Sequence, residues 1–300
     1  MITIKNLHKK YDNFTALEDL EMNIPSGSIY GLIGTNGAGK TTLIRHMAGV
    51  LRPDSGDILY DGEAVWENNA LKSRIGLIPD ELFFPAGATL NSMGRLYSGW
   101  YDRWNEDRFR ELITAFRLDP KARLKSFSKG MQKQAAFSLT LGAQPDYLLL
   151  DEPIDGLDPI IRKLVWKFIV DDVAAREMTV LVSSHNLREM EGLCDMIGIL
   201  SRGHMILEKD YDLLRGDLNK VQVSFGNKVL SADPYEGLNI LHRESRGTVD
   251  LLVVNGKREE IEQHLNAFGP VLLDMLPLTL EEIFIYELGG DDHEISELLF

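Results

Sequence analysis

Gly34-Thr35-Asn36-Gly37-Ala38-Gly39-Lys40-Thr41 is the stretch on which the reading of this chain turns. Its glycine spacing is that of a phosphate-binding loop, and the mechanism behind that spacing demands a strand before it and a helix after it. Tyr30-Gly31-Leu32-Ile33 supplies an apolar run of strand type, and residues 40–49 read as the helix. The glycines let the backbone curl so that successive N–H groups face an anion, and the positive end of the helix adds to that field. Lys40 is then expected on the β- and γ-phosphates of a nucleotide, with the Thr41 hydroxyl on Mg²⁺. A glycine-rich strand-to-helix turn that binds nothing is the competing reading, and this context disfavours it.

Downstream, Tyr147-Leu148-Leu149-Leu150-Asp151-Glu152-Pro153 is an apolar strand that stops on two acids. Beside a phosphate loop, Asp151 can hold the Mg²⁺ shell and Glu152 can polarise a water for in-line attack. By itself such a pair is more often a solvated turn; the loop upstream reverses the preference. Phe127-Ser128-Lys129-Gly130-Met131-Gln132 opens a helix. Ser128 is either an ordinary cap there or a γ-phosphate ligand working with the helix-end N–H groups. Ser183-Ser184-His185 follows the apolar run 179–182. A lone histidine is usually structural, but His185 at a strand end in the same crevice is placed to sense the γ-phosphate and position water.

The ordered set of phosphate loop, Phe127-to-Gln132 segment, Asp151-Glu152, Ile154-Asp155-Gly156-Leu157-Asp158 and Ser184-His185 resembles the nucleotide-binding subunits of ABC transporters, over roughly residues 1–210. The resemblance implies an α/β fold: a P-loop NTPase domain of ABC-ATPase type over residues 1–212, with a mixed sheet flanked by helices and a helical subdomain at about 82–145. It also implies a head-to-tail dimer, with a second copy or a paralogous ATPase subunit, that closes on two ATP molecules. The ATP-binding set is then Tyr11, Gly34, Thr35, Asn36, Gly37, Ala38, Gly39, Lys40, Thr41 and Thr42, with Ser128 and Gly130 acting in trans. Tyr11 matches the family's adenine-stacking aromatic, although a tyrosine in an amphipathic strand is also ordinary packing. Glu152 and His185 would be catalytic, Thr41 and Asp151 would hold Mg²⁺, and Asp158 would lie in the loop coupling the two sites.

Three motifs depart from the family. After Ile75-Gly76-Leu77-Ile78-Pro79, where a glutamine is usual, stands Asp80. It can join the metal shell, but it brings another negative charge to the triphosphate, so slow or unusually metal-dependent hydrolysis is expected. Phe127, Lys129 and Met131 replace the commoner Leu, Gly and Gln of the signature while Ser128 and Gly130 remain. Ile154-Asp155 replaces a Thr-Ser pair.

The chain has 300 residues, 44% hydrophobic and 26% charged, with a net charge of −14. That charge opposes polyanionic partners, so no nucleic acid is expected. The N-terminal residues lack the pattern of a secretory signal, and no run approaches the ~18–20 apolar residues that span a bilayer. A cytoplasmic protein is expected, held at the inner face of the membrane through an integral membrane permease, and the chain order resembles bacterial exporter ATPases. A soluble ABC ATPase acting on nucleic acid or ribosomes is the alternative, and a compact segment between loop and signature counts against it. A non-hydrolysing regulatory subunit is a third reading, suggested by Asp80 and opposed by Glu152 and His185.

The single Cys194 excludes an internal disulfide. It falls at helical spacing with Leu187, Met190 and Leu193, which favours a small apolar core residue over a reactive thiol. Residues 213–300 change to alternating segments, Val221-Gln222-Val223-Ser224-Phe225 and Val249-Asp250-Leu251-Leu252-Val253-Val254, then a helix-like 258–268. They read as a small α+β domain whose tail, Gly289-Gly290-Asp291-Asp292-His293-Glu294, is acidic.

Overall fold

Strand β3, Ile29–Ile33, is buried at every position, as is β7, Tyr147–Asp151. Strands covered on both faces need continuous apolar sequence, and these two have it. In the computed structural model they belong to a six-stranded sheet, in which β3 pairs in parallel with β8 (Thr179–Ser184) and β9 (Met196–Ser201). Strand β7 pairs in parallel with β8 and with β6 (Ile75–Ile78), and β10 (His204–Asp210) completes the edge beside β9. The register sets Ile33 beside Ser184 and Asp151 beside Ser183, so the loop, the acids and the histidine all leave the sheet at its carboxyl edge. The structure describes residues 1–287 apart from 212, 214–216, 227–229 and 231; the acidic tail 289–294 lies outside the described residues.

Strands β6, β7, β8, β3 and β9 run parallel, and a second, antiparallel sheet beside them gives the mixed strand directions expected. Strands β1 (Ile2–Tyr11), β2 (Phe14–Ile24), β4 (Ser55–Tyr60) and β5 (Glu63–Ala64) form an antiparallel sheet in the order β2-β1-β4-β5. Its inward side chains Ile2, Ile4, Leu17 and Met22 share one core with Leu32, Leu149 and Leu181 of the first sheet. Leu43, Ile44 and Met47 of helix α1 (Lys40–Met47) enter the same core, which anchors the helix behind the phosphate loop.

After α2 (Asn69–Lys72), three helices follow β6: α3 (Leu90–Trp100), α4 (Glu106–Ala115) and α5 (Lys129–Gly142), with α3 and α4 both packed on α5. Ser128 caps α5 by accepting from Met131 N. Asp158 caps α6 (Pro159–Arg176) by accepting from the amides of Ile160 and Ile161. The helical spacing around Cys194 produces a short 3₁₀ turn at Leu187–Glu189 instead of a helix; Asn186 caps it and Gly192 (φ +68°) reverses the chain.

Met1–Lys209 is one compact unit and Asp210–Phe300 another. In the second, β11 (Leu218–Ser224), β12 (Asn239–Arg246), β13 (Val249–Asn255) and β14 (Leu272–Leu276) form a four-stranded sheet ordered β12-β13-β11-β14. Ile261 and Leu265 of α7 (Arg258–Asn266) pack on Val221, Val223, Leu252 and Val254, and α8 (Leu280–Glu287) follows.

Candidate functional site

Helix α1 is preceded by Gly39 at its cap position, which is left-handed (φ +113°) and offers no side-chain cap. Its first amides are therefore free to meet an anion, and the helix dipole favours one there. The loop can take this course only with glycine at its ends. A Cβ on Gly34 would stand 2.4 Å from Leu200 O, and one on Gly39 would stand 2.8 Å from Ala16 O. The loop closes a cavity of about 310 Å³ lined by Thr35, Asn36, Gly37, Gly39, Lys40, Thr41 and Thr42, with Phe14 and Ala16 on one side and Asp80 and Glu152 on the other. Ala38 is buried in the core beneath it.

Lys40 is buried, and its Nζ donates to Gly34 O at 2.6 Å and Thr35 O at 3.2 Å. The same Nζ stands 3.1 Å from Glu152 Oε1, which is buried and accepts no hydrogen bond from the described residues. The other carboxylate oxygen, Glu152 Oε2, is 2.9 Å from His185 Nδ1. Asp151 is 2% exposed and accepts from Ser183 Oγ at 2.8 Å, while Ser183 Oγ in turn receives the Glu152 amide at 3.1 Å. Glu152 has a left-handed backbone (φ +45°), uncommon for a residue with a side chain and a recurrent feature of functional sites. A triphosphate fits this setting. The cavity offers free helix-end amides and a buried lysine whose counter-charge is an under-bonded carboxylate; Thr41 and Asp80 line it, while Asp151 is buried against Ser183 outside the lining, and all three carry oxygens of the hard kind that Mg²⁺ prefers.

Loop, Asp80, Asp151, Glu152 and His185 thus converge in one chain. Ser128, Gly130 and Asp158 do not line the cavity; Ser128 and Asp158 are exposed at helix starts, and a Cβ on Gly130 would stand 3.1 Å from Gly156 O. Tyr11 lies outside the lining, its ring 5.3 Å from Lys9 Nζ, whereas Phe14 across the turn lines it. Phe14 escaped the sequence reading because it follows no motif.

Lys133 and Ser183 were also missed. Lys133 is a buried lysine on the inner face of α5, and its Nζ donates to Glu152 O at 2.7 Å. A cation among apolar helix positions was the available signal. Asp155 joins Glu152 and His185 at the rim, with one ligand atom of each within 4.8 Å of the others. Cys194 is buried, and burial together with the Asp195 charge pushes its thiol far above the ordinary range.

The ABC transporter family pattern matches residues 17–155. The chain is 31% identical, over 97% of its length and 99% of the relative's, to the ABC transporter ATP-binding protein YtrB of Bacillus subtilis (strain 168). It is 30% identical to the Nod factor export ATP-binding protein I of Rhizobium meliloti (strain 1021), over 97% of this chain and 88% of that one. A solved ATP-binding subunit of an ABC transporter superposes with a TM-score of 0.67 at 28% identity, covering 72% of this chain and 92% of the other.

Proposed function

Given that the chain belongs to the family of ABC transporter ATP-binding proteins, we propose that it powers export through a separate membrane permease by closing and reopening a head-to-tail dimer. The chain is an ATPase, converting ATP and water to ADP and phosphate. The observation that carries the site assignment is the Glu152 carboxylate, shared between Lys40 Nζ at 3.1 Å and His185 Nδ1 at 2.9 Å beside the phosphate loop.

In this reading, residues 34–42 hold the phosphates through backbone amides and Lys40. Thr41 and Asp151 hold Mg²⁺, with Asp80 in its shell. The metal, when bound, neutralises phosphate charge. Glu152 accepts a proton from the attacking water, and His185 orients that carboxylate and meets the terminal phosphate. Tyr11 and Phe14 flank the turn where the base stacks. Ser128 and Gly130, which the chain turns away from its own cavity, complete the site of a second subunit, and Asp158 couples the two sites. The absence of any membrane-crossing helix among the described residues fits a subunit held at the cytoplasmic face by its permease. Export follows the chain-long similarity to a Nod factor exporter subunit.

Mixing inactive variants tests the composite site. Lys40→Met and Ser128→Arg are each expected to abolish turnover, whereas an equal mixture recovers about a quarter of the wild-type rate, because half the dimers carry one intact site of two. No recovery overturns the assignment in trans.

A further inference from the structure

Lys133 is 8% exposed at its side chain, and an ammonium withdrawn from water requires compensation. It has two partners. Its Nζ donates to Glu152 O at 2.7 Å and lies 3.7 Å from Asp80 Oδ1. Asp80, 55% exposed, follows β6 and borders the phosphate cavity. Asp80 and Lys133 also line a second cavity of about 590 Å³, together with Glu81, Lys129 and Asp155.

The Glu152 backbone is therefore gripped on both sides of its Cα, its N–H by Ser183 Oγ and its C=O by Lys133. That grip falls on a residue in the left-handed region, which persists only where the surroundings over-determine it. If α5 needed only packing at this position, an apolar side chain would serve without the desolvation cost of a charge. We propose that Lys133 is a positioning residue for hydrolysis. It fixes the Glu152 backbone so that the carboxylate faces Lys40 and His185, and its ion pair with Asp80 ties that setting to the segment after β6. The aspartate at the family's glutamine position and the lysine on α5 then act as one unit. Magnitudes rank the two contacts: a buried charge-assisted hydrogen bond outweighs an ion pair with a half-exposed carboxylate.

The inference rests on Glu152 being the base, and the experiment separates the two. ATP turnover by the full chain is measured for Lys133→Met, Lys133→Gln, Lys133→Arg, Asp80→Asn and the Lys133→Gln/Asp80→Asn double variant, with nucleotide-free hydrogen exchange of the peptides spanning 151–157. Lys133→Met is expected to lower kcat about thirtyfold with KM within about twofold, and to speed exchange at Glu152. Lys133→Arg recovers most of the rate. Lys133→Gln keeps a donor for the carbonyl and loses the charge, so it falls by about fivefold, and adding Asp80→Asn to it costs less than Asp80→Asn costs in the wild type. If Lys133→Met fails to bind nucleotide, the Gln series carries the test alone. Equal cost of Asp80→Asn in the wild-type and Gln backgrounds, or unchanged kcat and exchange in Lys133→Met, overturns the proposal. A wild-type chain whose rate does not respond to Glu152→Gln overturns the assignment of the base instead.

Discussion

Glu152 and His185 meet through Oε2 and Nδ1 at 2.9 Å, although they leave different strands of the parallel sheet. The contact sets Nδ1, not Nε2, against the carboxylate. Replacing Glu152 with Gln removes the proton acceptor while preserving shape. A fall in kcat of about 10²–10⁴ with nucleotide binding retained is expected from steady-state turnover and equilibrium binding. His185→Ala should lower kcat by about tenfold or more without a matching rise in KM.

Gly39 is a second point of leverage. Its φ of +113° and the 2.8 Å approach of a Cβ to Ala16 O mean that Gly39→Ala must shift backbone at the start of α1. A loss of about 1–3 kcal/mol is expected. Thermal melting reads that loss, and a nucleotide titration should show binding weakened by about tenfold or more, since the displaced amides are those facing the phosphates. An alanine variant with wild-type affinity would contradict the loop assignment.

His46, on the buried face of α1, brings its Nδ1 to Thr42 O at 2.7 Å. Burial holds its imidazole below the ordinary value of 6.5, with Lys9 pushing the same way and the carbonyls of Thr42 and Arg52 and the Asp54 charge opposing. The unfolded chain therefore takes up this proton more readily than the folded one. Stability from this group is complete above pH 6.5 and erodes as the pH falls below it. Melting temperatures measured from pH 8 down to about pH 5 should decline more steeply for the wild type than for His46→Gln, which keeps a donor for Thr42 O but does not titrate.

Cys194 packs against Gly31, where a Cβ would come within 2.9 Å of its Sγ, and burial keeps the thiol protonated. A thiol that is neither exposed nor ionised is a poor nucleophile. Alkylation at pH 8 should proceed at least about a hundredfold more slowly in the native protein than in denaturant, followed by mass spectrometry. Rapid native labelling would show that the 187–194 segment opens.

What was legible in the sequence follows from where the physics is local. Residues 29–33 and 147–151 are continuous apolar runs because both faces of the strand are covered, and the chemistry sits at the points where those runs stop. The antiparallel sheet was not legible from its own residues, because β1 changes register with β2 between Ile4 and Leu7 and again at Lys9, which breaks the alternation a strand normally shows. Cys194 has helical spacing, but Gly192 overrides it locally. The Lys133–Asp80 pair left no trace, since an ion pair joins residues by the fold and carries no periodicity. Phe14 became a cavity wall only when the turn after Tyr11 brought it over the loop.

Lys40 is not idle before nucleotide arrives: its ammonium is already engaged by Gly34 O, Thr35 O and the charge of Glu152. Nucleotide capture is thus a competition in which the phosphates must outbid an internal surrogate, and the measured affinity is the difference between two occupancies of one lysine. Neutralising Glu152 weakens the surrogate, so the variant that turns over most slowly should also retain ATP longest. Slow release and slow chemistry would then share one origin, a carboxylate that serves as the lysine's resident anion until the substrate displaces it.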